Sequence, residues 1–301
     1  MPGRIPVRQK NNMLSKRIIA SLIIKDGTVV QSIGFSQYLP IGSPEIAVEF
    51  LNSWGADEIL VLDIGENRTK RSPNLALVSA LSKRSRVPLT VGGGIDNVET
   101  MRQLIKGGAD KFVINRMAVE RPEIITEAAA IFGNQCIVVS IDVRKTKDGR
   151  YEAFIDSGIG ATGKDPVAVA RERARLGAGE ILIRSIDRDG SKKGFDIDLV
   201  RSIVEAVDVP VIAAGGCGHP QHVLDVFQKG KADAAAVGNM LHFSEHSVNT
   251  LKAYLAHHLP VRLDTYASYR HFGFDEHGRP LKRPDAELEK LRLEYHPKEV
   301  I

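Results

Sequence analysis

Short apolar runs rich in β-branched residues alternate with longer amphipathic stretches along most of the chain. The short runs predict eight strands, at residues 17–24, 58–63, 88–91, 111–115, 136–142, 180–185, 210–214 and 233–238. Apolar residues recur at helical spacing between them, for example at 44–54, 98–106, 122–132, 167–176, 199–207 and 219–229. Many strands are apolar on both faces, as in a parallel sheet covered by helices. The pattern predicts an α/β fold, the closed (β/α)8 TIM barrel, since the GxGxxG turn expected of an open doubly wound sheet is absent.

An internal repeat favours the same closed fold. Gly-Ala-Asp-Glu-Ile-Leu at 55–60 recurs as Gly-Ala-Gly-Glu-Ile-Leu at 177–182, an offset of 122 residues. Val-Pro at 87–88, which precedes Gly-Gly at 93–94, recurs at 209–210 before Gly-Gly at 215–216, with the same offset. The repeat predicts two similar half-barrels of four strand-helix units each.

The length and the distribution of charge suggest one barrel with two appendages. A barrel occupies about 200–250 residues, which divides the 301 residues into a leader at 1–12, a barrel at 13–261 and a C-terminal extension at 262–301. The leader carries three basic residues and no acidic one, whereas the extension is balanced, so the barrel holds little of the formal +4 charge. This distribution argues against a nucleic-acid-binding protein.

The remaining composition predicts a cytoplasmic protein without a membrane segment. Two cysteines cannot form a disulfide framework, and we find neither a membrane-spanning apolar run nor a signal peptide. The extension holds five of the 17 aromatic residues, so we expect it to pack on the barrel or on a partner, with a short helix at 286–295. These aromatic residues are Tyr266, Tyr269, Phe272, Phe274 and Tyr295.

Glycine-rich loops mark the edge where such barrels carry their active sites. Three glycine-containing segments follow predicted strands, at 92–94, 189–190 and 215–218. Glycine lets backbone N–H groups approach phosphate oxygens, so loops in both halves predict a bis-phosphorylated substrate held at its two ends. The alternative is that these glycines only permit tight turns. The candidate substrate-binding or phosphate-binding residues are Asp63, Gly93, Gly94, Asn115, Asp189, Gly190, Gly215, Gly216, Gly238 and Asn239.

Asp142 is the candidate catalytic residue. It ends the fifth predicted strand, where a carboxylate can reach the central cavity as a general acid or base; the alternative is a helix cap or a loop brace. Asp187, like Asp63 and Asp189, either orients the substrate or braces the rim. Capping or packing is the expected role of His219 and His242. No metal site and no cofactor is predicted, since HExxH and CxxC spacings are absent.

A set of motifs brings these features together. They are Lys-Arg-Ile-Ile at 16–19, Lys-Asp-Gly at 25–27, Gly-Ala-Asp-Glu at 55–58, Thr-Val-Gly-Gly-Gly-Ile at 90–95, Gly-Ala-Asp-Lys at 108–111, Ile-Asp at 141–142 and the segment 177–190. With them, residues 13–262 closely resemble the cyclase subunit of imidazole glycerol phosphate synthase, a barrel of histidine biosynthesis. The isomerase barrel one step earlier in that pathway shares the glycine loops but fits the motifs less well.

The resemblance implies a partner protein and a path for ammonia. In this family a glutaminase subunit docks at the N-terminal face, forming a heterodimer, and ammonia passes through the barrel to a phosphorylated substrate. The positions that match the charged gate are Arg17, Glu58, Lys111 and Glu180, and Asp110 matches a position at the glutaminase interface. The alternative for the four charges is a surface ion-pair network.

The opposite end departs from the family pattern. The family uses two aspartates as acid and base; the second matches Asp142, but the first matches Ile23. A lysine of the substrate loop matches Gln31, and polar positions near the substrate match Gly65, Arg116, Arg184 and Ala214. Isoleucine cannot transfer a proton. The end that would deliver ammonia therefore resembles the family, and the end that would carry the chemistry does not.

These departures are typical of a divergent paralogue. The resemblance extends to paralogues that amidate sugars of surface polysaccharides such as lipopolysaccharide, converting an acetamido to an acetamidino group. Three alternatives stay open. The chain is the histidine-pathway cyclase itself, which makes imidazole glycerol phosphate and AICAR, or a non-catalytic scaffold that activates a glutaminase, or a sugar-phosphate isomerase that acts alone.

Overall fold

A computed structural model describes residues 15–65, 72–263, 269, 272–281, 284 and 286. In these ranges the strands are β1 (Arg17–Lys25), β2 (Thr28–Ile33), β3 (Gln37–Gly42), β4 (Glu58–Asp63), β5 (Leu89–Gly92), β6 (Lys111–Ile114), β7 (Ile137–Lys145), β8 (Tyr151–Ile155), β9 (Gly160–Ala161), β10 (Glu180–Ser185), β11 (Val211–Ala214) and β12 (Ala234–Val237). The helices are α1 (Pro44–Ser53), α2 (Leu75–Ser82), α3 (Val98–Lys106), α4 (Arg116–Glu120), α5 (Ile124–Phe132), α6 (Pro166–Leu176), α7 (Ile197–Val204), α8 (Pro220–Gln228) and α9 (Ser247–Ala256), with 3₁₀ turns at Asn134–Cys136 and Asn239–His242.

The eight predicted strands close into a barrel. They correspond to β1, β4, β5, β6, β7, β10, β11 and β12, and each is parallel to both of its neighbours, with β1 paired to β4 and β12. The pairing of β7 with both β6 and β10 completes the ring. The (β/α)8 prediction is confirmed, and the predicted strand ends lie within three residues of the observed ones.

Side chains along each barrel strand alternate between two apolar cores. In β1, Ile18 and Ala20 face the surrounding helices, whereas Ile19 belongs to the separate cluster that fills the barrel. Burying one such large aliphatic side chain contributes about 1.5–3 kcal/mol. Because the alternation has a period of two, residues 17, 19, 21 and 23 form one inward-facing column, and the other strands supply similar columns.

Two antiparallel hairpins were not among the predicted elements. β2 and β3 extend from the C-terminal end of β1, and β8 and β9 extend from that of β7. Asp26 and Gly27 connect β1 to β2 with φ of 51° and 75°, the left-handed values of a two-residue type I′ turn. Both hairpins therefore cover the edge of the barrel that carries the candidate substrate residues.

The repeated Gly-Ala-Asp segments at 55–57 and 108–110, with the related Lys-Ala-Asp at 231–233, tie neighbouring strands together at the N-terminal edge. The carboxylates of Asp57, Asp110 and Asp233 accept hydrogen bonds from the backbone N–H groups of Ile18, Leu89 and Val211, at 2.7, 2.7 and 3.0 Å. Each bond joins the start of one strand to the start of the next, which gives this repeat a structural reason. Asp110 is also exposed, so its carboxylate remains accessible on this face.

The described part of the C-terminal extension packs on α8 and α9. The ring of Phe274 lies 5.4 Å from that of Tyr254, and the Tyr269 hydroxyl lies 2.9 Å from Nδ1 of His246. The leader at 1–12, Tyr266, Tyr295 and nearly all of the helix predicted at 286–295 lie outside the described residues. In the described ranges, none of the helices has the length and apolarity needed to cross a bilayer.

Candidate active site

Four charged side chains meet at the N-terminal end of the barrel. Arg17 donates hydrogen bonds to Glu58 and to both carboxylate oxygens of Glu180, all at 3.1 Å. Lys111 Nζ lies 2.9 Å from both Glu58 Oε2 and Glu180 Oε1, and Thr90 donates to Glu58 Oε1 at 2.6 Å. Burial opposes the charge of Arg17, but the two carboxylates outweigh it and raise its pKa. Positive and negative groups therefore alternate around a closed ring, which we call the charged ring.

Glu58 should be the side chain of the charged ring that is most costly to neutralise. It is 2% exposed and contacts both cations, so Glu58→Gln leaves Arg17 and Lys111 with Glu180 alone. Breaking such a buried arrangement costs about 3–5 kcal/mol, to be measured as a loss in the free energy of unfolding in urea. Glu99→Gln is the matched control, because Glu99 and Arg102 form an exposed pair that is worth below about 1 kcal/mol. Equal losses in the two variants would contradict the prediction.

An apolar interior separates the charged ring from the opposite end. Its side chains come from the inward-facing columns and are nearly inaccessible to solvent. They are Ile19, Leu60, Leu62, Val113, Val138, Leu182, Ile212, Ala234 and Ala236, with Ile23 and Ala214 at the upper edge. An uncharged small molecule can pass such a lining at far lower cost than an ion can.

Asp142 is the carboxylate at the C-terminal end of this interior. It is 3% exposed, accepts a hydrogen bond from Ser140 Oγ at 3.2 Å, and lies 3.7 Å from Arg184 NH1. Burial raises the pKa of Asp142, whereas Arg184 and Ser140 act in the opposite direction and Asp189 reinforces the rise. A carboxyl group at this place can act as a general acid or base, and its raised pKa favours the protonated, proton-donating form.

The raised pKa of Asp142 should make stability fall as pH rises. The folded protein holds this proton more tightly than the unfolded chain does, so the free energy of unfolding decreases from the ordinary aspartate range up through the raised pKa. Asp142→Asn removes this dependence, so the variant should gain stability relative to the wild type as pH increases from about 4 to about 8 in urea unfolding.

Asp148→Asn provides a control of opposite sign. Hydrogen bonds from Thr146 and Arg150 lower the pKa of the exposed Asp148 carboxyl. The stability from this group is present above the ordinary aspartate range and disappears as pH falls through the lowered pKa. Asp148→Asn should therefore lose stability relative to the wild type as pH increases, and slopes of the same sign in both variants would contradict the account of Asp142.

The first glycine loop is shaped by close backbone contacts. Gly93 has a φ of 112°, and a Cβ atom there would collide with the carbonyl oxygen of Asp63. The Asp63 carboxylate accepts a hydrogen bond from the Gly65 N–H at 3.1 Å, and Asn115 donates to the Ser140 carbonyl at 3.0 Å. One cavity is lined by Asp63, Gly93, Gly94 and Asn115 and also contains Asp142. The structure thus brings these predicted residues together.

The other predicted residues surround the turn between β2 and β3. The Asp189 carboxylate accepts hydrogen bonds from Ser32 Oγ at 2.6 Å and from the Phe35 N–H at 3.2 Å, and burial raises its pKa. Asn239 bonds to the backbone of Ser32, and Gly190 lies against the Ser32 carbonyl. Together with Gly215, Gly216 and Gly238, these residues line a second cavity. Asp189 and Asn239 thus fix the β2–β3 hairpin by hydrogen bonds and also line a cavity.

The remaining candidates have local roles. Asp187 accepts a hydrogen bond from the Lys145 N–H at 2.8 Å at the rim, and His219 caps α8 through Nδ1 and the Gln221 N–H at 3.0 Å. Burial lowers the pKa of His242 and raises that of the Cys217 thiol to about 12, which keeps the thiol protonated. Across the described ranges, no group of three His, Cys, Asp or Glu side chains has the arrangement of a metal site.

Comparison with known proteins shows the family of this chain. The model of the family described as "Histidine biosynthesis protein" matches residues 17–247. The chain belongs to this family. It is 45% identical over 244 residues to imidazole glycerol phosphate synthase subunit HisF of Geobacillus kaustophilus (strain HTA426), covering 81% of this chain and 97% of that protein. It is 44% identical over 244 residues to HisF of Geobacillus thermodenitrificans (strain NG80-2), with the same coverage. With HisF of Alkaliphilus metalliredigens (strain QYMF) it shares 45% identity over 240 residues, 80% of this chain and 95% of the relative.

The resemblance predicts that Ile23 replaces a catalytic aspartate of the family. Its side chain packs on the interior cluster and lines the second cavity, across the barrel from Asp142. Arg116, another departure, is already paired, because its guanidinium contacts the Asp156 carboxylate, with Nε 2.6 Å from Oδ1. The site therefore combines one buried carboxylate with an apolar side chain at the opposite position.

Proposed function

We propose that this chain is the synthase subunit of a glutamine-dependent amidotransferase, and that it transfers ammonia to a phosphorylated sugar. One observation carries the proposal. The charged ring is complete and fully connected at one end of the interior, whereas the other end presents Asp142 opposite Ile23. The N-terminal end, where ammonia would enter, thus fits the family. The C-terminal end, where the acceptor would react, fits a reaction other than ring closure with two carboxyl groups.

The charged ring and the apolar interior support ammonia delivery through the barrel. A glutaminase partner would dock at the N-terminal face, where Asp110 is exposed beside Lys111. The charged ring has two cations and two anions, so it carries no net charge to trap ammonium. Neutral ammonia would pass when one of its side chains moves aside, and the apolar lining beyond would keep it unprotonated.

Amidine formation can proceed with a single proton-relaying group, because one carboxyl can remove a proton from nitrogen and then give a proton to oxygen. The nitrogen of ammonia would bond to the carbonyl carbon of an acetamido group, and the carbon–oxygen bond would break. The oxygen leaves as water with one proton from the attacking nitrogen and one from solution, which yields an amidinium group. Asp142 would relay these protons, and its position in the first cavity, at the C-terminal end of the apolar interior, supports this role.

The histidine-pathway cyclase is the second candidate. The 45% identity to HisF over nearly the whole length of that subunit favours it. Ile23 disfavours it, because ring closure in the family uses an acid and a base and isoleucine supplies neither.

Coupling between the two subunits tests whether the chain is an enzyme. The chain is assayed in a complex with its glutaminase, and acetamido-sugar phosphates or nucleotide-linked acetamido sugars are added one at a time. We expect glutamate release to rise with the compound that is the acceptor. Release that is equally fast with every compound and with none would indicate a scaffold instead.

A further inference from the structure

The mouth of the barrel is divided into two cavities of very different size. The first, about 270 Å³, lies between the ends of β4, β5, β6 and β7 and contains Asp142. The second, about 50 Å³, lies beside the ends of β1, β11 and β12 and contains Ile23. Small-molecule sites usually measure about 300–1,000 Å³, so the first cavity approaches that size and the second does not. Arg184 lines both cavities and forms part of the wall between them.

Phe35 completes this wall and fixes the guanidinium of Arg184. The guanidinium carbon lies 4.3 Å from the centre of the Phe35 ring, within the range of a cation–π contact. Phe35 is 8% exposed and packs with Phe154 and Ile186, and its N–H is bound by Asp189. Its φ of 56° is unusual for a bulky residue and persists only because these contacts hold the turn.

The guanidinium retains hydrogen-bonding capacity. Among the described residues, Arg184 has no hydrogen bond to a protein acceptor, and its ion pair with Asp142 spans 3.7 Å. Its five N–H donors form a planar fork that suits phosphate and carboxylate oxygens. Arg116, by contrast, directs two nitrogens at Asp156. Arg184 therefore has N–H donors available, next to Asp142, for an anion that enters the mouth of the barrel.

We infer that Arg184 is a substrate-binding and specificity-determining residue that binds an anionic oxygen group of the acceptor at the wall between the cavities. The reacting part of the acceptor then lies in the first cavity beside Asp142, and a substrate with phosphates at both ends cannot lie across the mouth. The acceptor class is a compact molecule with its anionic group at one end. This inference rests on the proposed function for the role of the ligand as ammonia acceptor.

Phosphate titration of the full chain tests the inference without nitrogen transfer, so it can fail independently of the proposed function. Inorganic phosphate is the probe, measured by calorimetry. Arg184→Gln should weaken binding about 10- to 100-fold, the effect of losing a hydrogen bond to a charged group. Arg144→Gln is the matched control, because Arg144 lies 4.9 Å from the Phe154 ring in the same cluster but lines neither cavity. Its effect should stay below about threefold.

Two further measurements keep the test decisive. Should Arg184→Gln fail to fold, Arg184→Met retains the apolar stem on Phe35 and should show the same loss. Mannitol 1-phosphate and mannitol 1,6-bisphosphate should bind the wild type with affinities within about threefold of each other. The inference is overturned if the wild type binds no phosphate, if the Arg184 and Arg144 variants weaken binding equally or not at all, or if the bisphosphate binds about tenfold tighter or more.

Discussion

The double variant Ile23→Asp with Arg184→Thr is expected to form imidazole glycerol phosphate about 10²- to 10⁴-fold faster than the wild type, when each is supplied with its glutaminase partner, glutamine and the histidine-pathway ribonucleotide. That range is the usual contribution of one general acid or base. Position 23 faces the interior across from Asp142, so the new carboxylate would stand at the position that the resemblance assigns to the family's first aspartate. Removing Arg184 opens the wall that separates the two cavities.

The single variants separate the two effects. Ile23→Asp alone should gain less than the double variant, because Arg184 still divides the mouth, and Arg184→Thr alone should not gain, because no second carboxylate is present. Thermal unfolding checks that the new carboxylate is tolerated. A wild type that already matches the double variant would show that ring closure proceeds without an acid or base at position 23.

Asp142→Asn is expected to lower nitrogen transfer to the acceptor about 10²- to 10⁴-fold. The amide keeps the shape of the side chain and a partner for Ser140 Oγ, which lies 3.2 Å from Asp142 Oδ1, but it cannot relay a proton. Glutamine hydrolysis by the partner without acceptor should be unaffected, since Asp142 lies at the opposite end of the interior from the charged ring. Transfer is measured from steady-state rates of the complex.

Asp148→Asn is the control for this loss. Asp148 follows the same strand but is exposed and bonded to Arg150 at 2.6 Å, so its loss should leave the transfer rate unchanged. A rate for Asp142→Asn within about threefold of the wild type would remove Asp142 from the proton relay, since a relay contributes far more.

The barrel could be predicted because its strand and helix signals are periodic, and the charged ring because the resemblance to the family points to its four positions. Arg17, Glu58, Lys111 and Glu180 each begin a predicted strand, and parallel strands in one barrel bring their N-terminal ends to one edge. The β1–β2 hairpin was missed although its signal was available. Asp26-Gly27 forms a two-residue type I′ turn between apolar runs, and an Asp-Gly pair in that setting is a strong local signal of a hairpin.

The wall across the mouth could not be predicted from the sequence. Phe35 and Arg184 are 149 positions apart and meet because Asp189 and Asn239 fix the β2–β3 turn over the barrel. The resemblance marks Arg184 as a departure, but its place beside Asp142 depends on the register of β10 on β7, which pairs the two residues directly. Such contacts come from tertiary packing and leave no local periodicity.

Nitrogen transfer tests the central claim most directly. The complex with its glutaminase would receive glutamine labelled with nitrogen-15 at the amide, together with the histidine-pathway ribonucleotide and a panel of acetamido-sugar phosphates and nucleotide-linked acetamido sugars. The account predicts that mass spectrometry finds the label in an acetamidino sugar and not in imidazole glycerol phosphate. Label in imidazole glycerol phosphate, with none in any sugar, would contradict it and identify the chain as the histidine-pathway cyclase.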